Sequence, residues 1–243
     1  MGRKWENIKR SKGKLDQERG AVFSRIAKDL MKAAKEGGPD PEANFRLKTA
    51  IETARESNMP SDNIQRAIRR GAGLEDGARY EEFVYEGYGP GGVAIMMNIM
   101  TDNRNRTAGD VRFIFTKNGG AMGETGCVGW MFTKKGIVEV DREQTDVTED
   151  DLMMIVLDAG ADDLKTSESH FEITTPPEAL EAVLRALHAA KIPVVRGETA
   201  MIPNTTVEVT GENADKLDRM LGLLEENDDV QNVYSNAQFP DEE

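Results

Sequence analysis

Cysteine occurs once, at Cys127, and histidine twice, at His170 and His188. The first scarcity excludes an internal disulfide and a cysteine-based zinc cluster, and the second a histidine-rich metal site. Apolar runs are short, and none approaches the roughly 18 to 20 residues of a membrane helix. No apolar stretch follows the basic start MGRKWENIKR, which excludes a secretory signal. Aromatic residues make up only 6%. The expectation is a soluble, cytoplasmic protein without membrane attachment, cofactor or structural metal.

The 243 residues are 38% hydrophobic and 31% charged, a composition that folds, over a length that holds two or three small domains. The net charge of −13 argues at first against a nucleic-acid partner. Its distribution reverses that impression. Residues 1–79 carry 18 Lys/Arg against 12 Asp/Glu, residues 80–135 carry 6 of each, and residues 136–243 carry 7 against 26. A basic head would be drawn to a polyanion, while the acidic part must face away from it or meet a basic protein.

The chain divides by its periodicities. Residues 1–20 form a basic arm in which Lys4, Lys9, Arg10, Lys12 and Lys14 surround Trp5. Three helical patterns follow. The first carries Val22, Ile26, Leu30 and Met31 and stops at Gly37-Gly38-Pro39. The second carries Leu47, Ile51 and Ala54 behind an Asp40-Pro41 start, and the third Ile64, Ala67 and Ile68 behind Ser61. From Tyr80 the period becomes that of strands. Residues 136–202 read β-α-β-β-α-β, a complete ferredoxin-like unit, with strands near 127–133 and 136–140 separated by Lys134-Lys135-Gly136. Residues 93–133 and 205–235 each read β-α-β, and joined they make a second such unit. The fold class is therefore α+β: a three-helix domain, then two ferredoxin-like domains, one inserted in the other. The expected boundaries are 1–79, 80–134 plus 204–243, and 135–203. A linear string of three domains is the simpler alternative, but it leaves each split half with an uncovered sheet face.

No catalytic constellation emerges. Gly87-Tyr88-Gly89-Pro90-Gly91-Gly92 leads into a strand where a phosphate loop needs a helix start, so a hairpin turn is expected. Cys127 has no basic neighbour in sequence to activate it, and a buried strand position is expected. The 44 carboxylates show no calcium-loop spacing. The basic groups say more. Arg66, Arg69 and Arg70 share one helix face opposite Ile64, Ala67 and Ile68. Arg104 and Arg106 open a helix in Thr101-Asp102-Asn103-Arg104-Asn105-Arg106-Thr107, where anions are favoured and arginine gains nothing from the helix dipole. With the arm they form the candidate nucleic-acid surface, against the blander reading of solvated faces, an Asn103 or Asn105 cap and arginines paired to carboxylates. Trp5 has two roles open to it, base stacking or packing on the bundle.

These residues resemble the YebC/PmpR family, whose mitochondrial relatives are translational activators of cytochrome oxidase. The matching stretches are Lys4-Trp5-Glu6-Asn7-Ile8-Lys9, Asn58-Met59-Pro60-Ser61-Asp62-Asn63-Ile64, Tyr85-Glu86-Gly87-Tyr88-Gly89-Pro90-Gly91-Gly92 and the Thr101–Thr107 segment. Lys117-Asn118-Gly119-Gly120 and Gly126-Cys127-Val128 continue the pattern. One departure is Gly2-Arg3-Lys4-Trp5, where many members read Gly-His-Ser-Lys-Trp. The resemblance implies a helical domain followed by two α+β domains, no catalytic activity, and a DNA-binding transcriptional regulator. It also implies an alternative, a ribosome-associated translation factor that relieves stalling on proline-rich stretches, with ribosomal RNA as partner. A metal-dependent enzyme built on the acidic half is the third reading. The connections after residues 36 and 57 do not match the short turn of a helix-turn-helix well.

Overall fold

The computed structural model describes residues 19–75, 77 and 79–239. Seven helices are present among them: α1 (Arg19–Gly37), α2 (Phe45–Glu56), α3 (Ser61–Gly71), α4 (Arg104–Lys117), α5 (Glu149–Asp158), α6 (Leu180–Ala189) and α7 (Gly211–Glu226). The longer strands are β1 (Glu81–Tyr88), β2 (Ala94–Thr101), β4 (Phe132–Asp141), β5 (Asp163–Thr166), β6 (His170–Thr175), β7 (Arg196–Pro203) and β9 (Val230–Ser235). Three two-residue strands complete the set, β3 (Ala121–Met122), β8 (Val207–Glu208) and β10 (Ala237–Gln238). Residues 130–205 make one compact unit; the described residues before and after them make a second.

In the second unit, helices α1 to α3 bury the stripe their periodicity marks, with Leu30, Leu47 and Ala54 fully enclosed. The cap of α2 differs from expectation. Asp40 only closes a turn by accepting from the Glu42 N–H at 3.0 Å, and the helix starts beyond it, at Phe45. Asn44 caps it, accepting from Leu47 N at 3.0 Å while its amide donates to the carbonyls of Ala33 and Gly38 at 2.9 and 2.8 Å. A residue that satisfies both the end of one helix and the start of the next outcompetes a cap that serves one. Ser61 opens α3 without a side-chain cap. At the other end of α3, a Cβ on Gly71 would lie 2.2 Å from the Met31 carbonyl oxygen, so only glycine allows α3 to close on α1.

The sheet of this unit has the order β3-β1-β2-β9, antiparallel throughout. The expected partner strands differ. The stretch near 127–133 contributes no strand to this sheet, and 205–210 supplies only β8, which pairs in parallel with β10. Their place is taken by β1, hairpin-paired to β2 through the turn Pro90–Gly92, where Gly91 and Gly92 adopt φ of 74° and 76°. Two helices on a four-stranded sheet remain, with the central strand moved to the front of the chain. Along β2, Ile95, Met97 and Ile99 join Val111 and Phe115 of α4 and Leu217, Met220 and Leu224 of α7 in one core. Successive strand side chains point to opposite faces, and Met100 joins the helical core instead.

Residues 130–205 show the order β5-β6-β4-β7, the ferredoxin-like arrangement expected for this segment. Here β4 runs unbroken through Lys134-Lys135-Gly136, where a break was expected, because β7 pairs with it across that point and β6 joins from Gly136 onward. Thr148 caps α5 by accepting from Asp151 N at 3.2 Å. Thr175 is buried in β6 and its hydroxyl donates to the Pro176 carbonyl at 2.7 Å, so no capping box opens α6. Asn204 ties the two ends of the unit together, its N–H on Met131 O at 2.9 Å and its side chain accepting from Thr133 Oγ1 at 2.7 Å.

Glu86 anchors the segment that precedes residue 130. It is 4% exposed, and its carboxylate accepts from the N–H groups of Gly126, Val128 and Gly129 at 2.8, 2.7 and 2.7 Å. Burial pushes its pKa up, but the three donors outweigh burial and hold it below the usual carboxylate value. Glu86→Gln is expected to cost about 2 to 4 kcal/mol, since a neutral amide accepts more weakly and presents N–H to N–H. Urea unfolding measures the cost, and faster amide exchange at Gly126, Val128 and Gly129 locates it.

Candidate nucleic-acid interface

Lys4, Trp5, Lys9, Arg10, Lys12 and Lys14 lie outside the described residues. The other candidates fall on two helices of one compact unit. On α3, Arg66, Arg69 and Arg70 are exposed while Ile64, Ala67 and Ile68 are 4 to 5% exposed, so the guanidinium groups form the outer face. Arg69 Nε lies 3.3 Å from Glu75 Oε2. The connection from α2 to α3 is residues 57–60, with Asn58 at φ 59° and Met59 buried. A four-residue turn is within the helix-turn-helix range, so the mismatch expected from sequence does not hold for this connection. The segment between α1 and α2 spans residues 38–44 and is longer.

Arg104 and Arg106 open α4 behind Asn103, which caps the helix by accepting from Arg106 N at 3.1 Å. Arg104 is solvent-facing, its guanidinium 4.3 Å from the Phe83 ring centroid and 3.8 Å from Glu81. Arg106 is engaged: its Nη2 lies 3.1 Å from Asp102 and 2.8 Å from Asp229. Asp229 stands at the centre of a network that no sequence pattern marks. Thr107 Oγ1 donates at 2.7 Å to the same Asp229 oxygen, and the other oxygen is 3.1 Å from Lys28 Nζ. Lys28, 3% exposed, also donates to the Asp228 carbonyl, and Arg25 to the Glu225 carbonyl. Burial pushes Asp229 up; the hydrogen bonds from Arg106 and Thr107 and the charge of Lys28 outweigh burial and hold its carboxyl below the usual range.

An open cleft of about 380 Å³ lies beside this network. Its walls include Tyr80, Asp102, Asp110, Asp228 and Asp229, with Lys28 and Arg106 already paired. Burial first, then the Asp102 carboxylate, push the Tyr80 phenol up. Four carboxylates on the wall repel phosphate, so the cleft is not a polyanion site. Among the described residues, no group of three or more His, Cys, Asp or Glu is placed to hold a metal ion. Cys127 is half-buried in a turn rather than on the buried strand expected, and burial, followed by the charge of Glu86, pushes its thiol up, away from a nucleophilic thiolate. His170 is half-buried, with Nδ1 3.0 Å from both the Ser167 and Ser169 hydroxyls. Among the described residues, no helix is long and apolar enough to cross a membrane.

Two family models match the chain. That for the TACO1/YebC protein N-terminal domain covers residues 3–74, and that for the TACO1/YebC second and third domain covers residues 80–237. The chain belongs to the TACO1/YebC family. Within the family, it is 68% identical over 237 residues to a probable transcriptional regulatory protein of Symbiobacterium thermophilum, covering 98% of each chain. A probable transcriptional regulatory protein of Desulforamulus reducens is 55% identical, covering 96% of each. The crystal structure of a conserved hypothetical protein from Aquifex aeolicus superposes with a TM-score of 0.83 at 43% identity, covering 95% of this chain and 94% of that one.

The network around Asp229 makes a pH-dependent contribution. A carboxyl whose folded pKa lies below its unfolded value of about 3.9 stabilises the fold above that pH and loses the contribution as pH falls through the folded pKa. Asp229→Leu strands the buried Lys28 ammonium and is expected to cost about 3 to 5 kcal/mol at neutral pH, with a flatter acid limb in urea titrations from about pH 5 to 2. Adding Lys28→Met should recover part of the loss, because no uncompensated charge is then left inside.

Proposed function

We propose that the protein is a non-enzymatic, nucleic-acid-binding regulator of gene expression that acts on duplex DNA. The observation that carries this reading is the outer face of α3, where three guanidinium groups stand on the helix that follows a four-residue inter-helix turn. A second helix presented in this way reaches a major groove, and guanidinium groups serve its phosphates and its guanine edges. The names of the relatives, probable transcriptional regulatory proteins, support regulation. In this proposal Lys4, Lys9, Arg10, Lys12 and Lys14 extend the phosphate contact, Trp5 adds a stacking group, Arg104 faces the same partner, and Arg106 holds the start of α4. The acid-rich residues 135–203 repel phosphate and meet basic protein.

A second reading, a ribosome-associated translation factor, is favoured by the 26 acidic against 7 basic residues over 136–243, a surplus that suits basic ribosomal proteins. Sedimentation of a lysate with and without nuclease separates the two. Co-migration with ribosomes and flat sequence preference on random duplexes would replace the first reading by the second.

The direct test uses the full chain on labelled duplex DNA across a salt series. The parent is expected to bind with a defined site preference, each wrong base pair costing about 1 to 3 kcal/mol. Arg66→Ala, Arg69→Ala and Arg70→Ala combined should flatten the dependence of log K on log salt by up to about 2.7, roughly 0.9 for each phosphate no longer neutralised. An unchanged slope removes α3 from the interface.

A further inference from the structure

The exposed side of α4 carries a feature that the α3 surface does not use. Phe113 is 63% exposed, on a helix whose inward residues Val111 and Phe115 are fully buried. The Lys117 ammonium lies 5.5 Å from its ring centroid, and Arg112 precedes it on the exposed surface. Among the described residues, neither Arg112 nor Lys117 has an ion-pair partner. One turn before Phe113 stands Gly109. Helical side chains lean towards the N-terminus, so the turn that Gly109 occupies is the one on the N-terminal side of Phe113. A Cβ at Gly109 would meet nothing within 4 Å, so packing does not require glycine there. Glycine inside a helix is unfavourable relative to alanine, and its effect here is to leave that turn bare. An uncovered aromatic flanked by cations without ion-pair partners, beside a gap with no side chain, is the arrangement that stacks a nucleobase and holds its phosphates.

We propose that Phe113, Gly109, Arg112 and Lys117 form a binding site for an unpaired nucleotide of single-stranded RNA, the base stacked on Phe113 and the flanking phosphates on Arg112 and Lys117. The inference rests on the nucleic-acid reading above and adds to it a second surface with a different preference. RNA is the occupant because its folded loops present unstacked bases, whereas a duplex buries every base face. The positive charge beside the ring complements the phosphates: Arg112 and Lys117 are exposed against Asp110.

The test is fluorescence anisotropy of the full chain with a labelled RNA hairpin bearing an unpaired loop, with the same RNA fully paired, and with duplex DNA. The parent should bind the loop RNA more tightly than the paired form. Phe113→Ala should weaken loop binding roughly 5- to 150-fold and leave the paired forms unchanged, while Phe113→Trp retains loop binding. Gly109→Leu fills the gap and should lower loop affinity while raising Tm, which separates site occlusion from unfolding. Arg112→Ala with Lys117→Ala should reduce the salt slope by about 1.4. If the parent binds loop RNA but Phe113→Ala and Gly109→Leu bind it equally well, the site is overturned and the nucleic-acid reading stands. Binding to duplex DNA alone also overturns the site. Failure to bind any of the three probes overturns the nucleic-acid reading itself.

Discussion

The arrangement of the larger unit depends on one carboxylate. Asp229, in the loop between α7 and β9, receives Lys28 from α1, Arg106 and Thr107 from α4, and through its own backbone carbonyl the Met100 N–H of β2 at 2.9 Å. Three stretches far apart in the chain, at residues 28, 100–107 and 229, thus meet at one residue. Burying the Lys28 ammonium and the Asp229 carboxylate costs several kcal/mol each unless both are paired and hydrogen-bonded, so a partly assembled network is worse than none. The bundle and the sheet are therefore coupled through charge as well as through Met100, whose side chain belongs to the helical core. A surface on α3 and a surface on α4 then belong to one frame, which a protein needs if two helices are to address one polymer.

The helices and the 130–205 unit are legible in the sequence because their signals are local. A 3.6-residue stripe marks α1 to α3 and α7, and a β-α-β-β-α-β order marks the ferredoxin-like unit without knowledge of any long-range pairing. What the sequence does not reveal is set by partners distant in the chain. The hairpin of β1 and β2 is visible, but which strands flank it is not: residues 127–133 carry strand-like composition, and the hold of Glu86 on Gly126, Val128 and Gly129 turns their first part aside. Asp40-Pro41 looks the better helix start because the advantage of Asn44 lies in the carbonyls of Ala33 and Gly38, on the preceding helix and just past its end. In sequence, Glu86 and Asp229 are two of many acidic residues. Nothing in a one-dimensional pattern distinguishes a carboxylate that accepts three backbone donors from one that faces water.

The basic groups are legible as groups, and the structure then sorts them by what each already holds. Arg106 spends its guanidinium on two carboxylates, whereas Arg66 and Arg70 on α3, and Arg112 and Lys117 on α4, have no ion-pair partner among the described residues. A cation committed to a buried anion keeps its charge but has fewer donors to offer phosphate, so proximity in sequence to other arginines overstates its value at an interface. Phe113 escapes notice in the sequence for a related reason. A helical stripe marks the buried positions, and an aromatic on the opposite side gains meaning only once its neighbours in space are known.

The acidic half obeys the same logic. Its charge is not dispersed: part lines the cleft beside Asp229, and much of the rest belongs to residues 130–205, which carry a surplus of acidic over basic groups. The chain passes into and out of that unit at residues 129–130 and 205–206. Before the first crossing, Glu86 holds Gly126, Val128 and Gly129; before the second, Asn204 bonds Met131 and Thr133. Each unit therefore fastens its own side of a crossing with specific hydrogen bonds. A loose acidic linker could fold back and neutralise nearby cations, because Coulomb forces in 0.1 M salt reach roughly 10 Å. Carboxylates carried on the paired strands and capped helices of a folded unit have no such freedom one by one. Fastening the ends thus does for the charge pattern what it does for the fold: it keeps the acidic groups of residues 130–205 on their own scaffold.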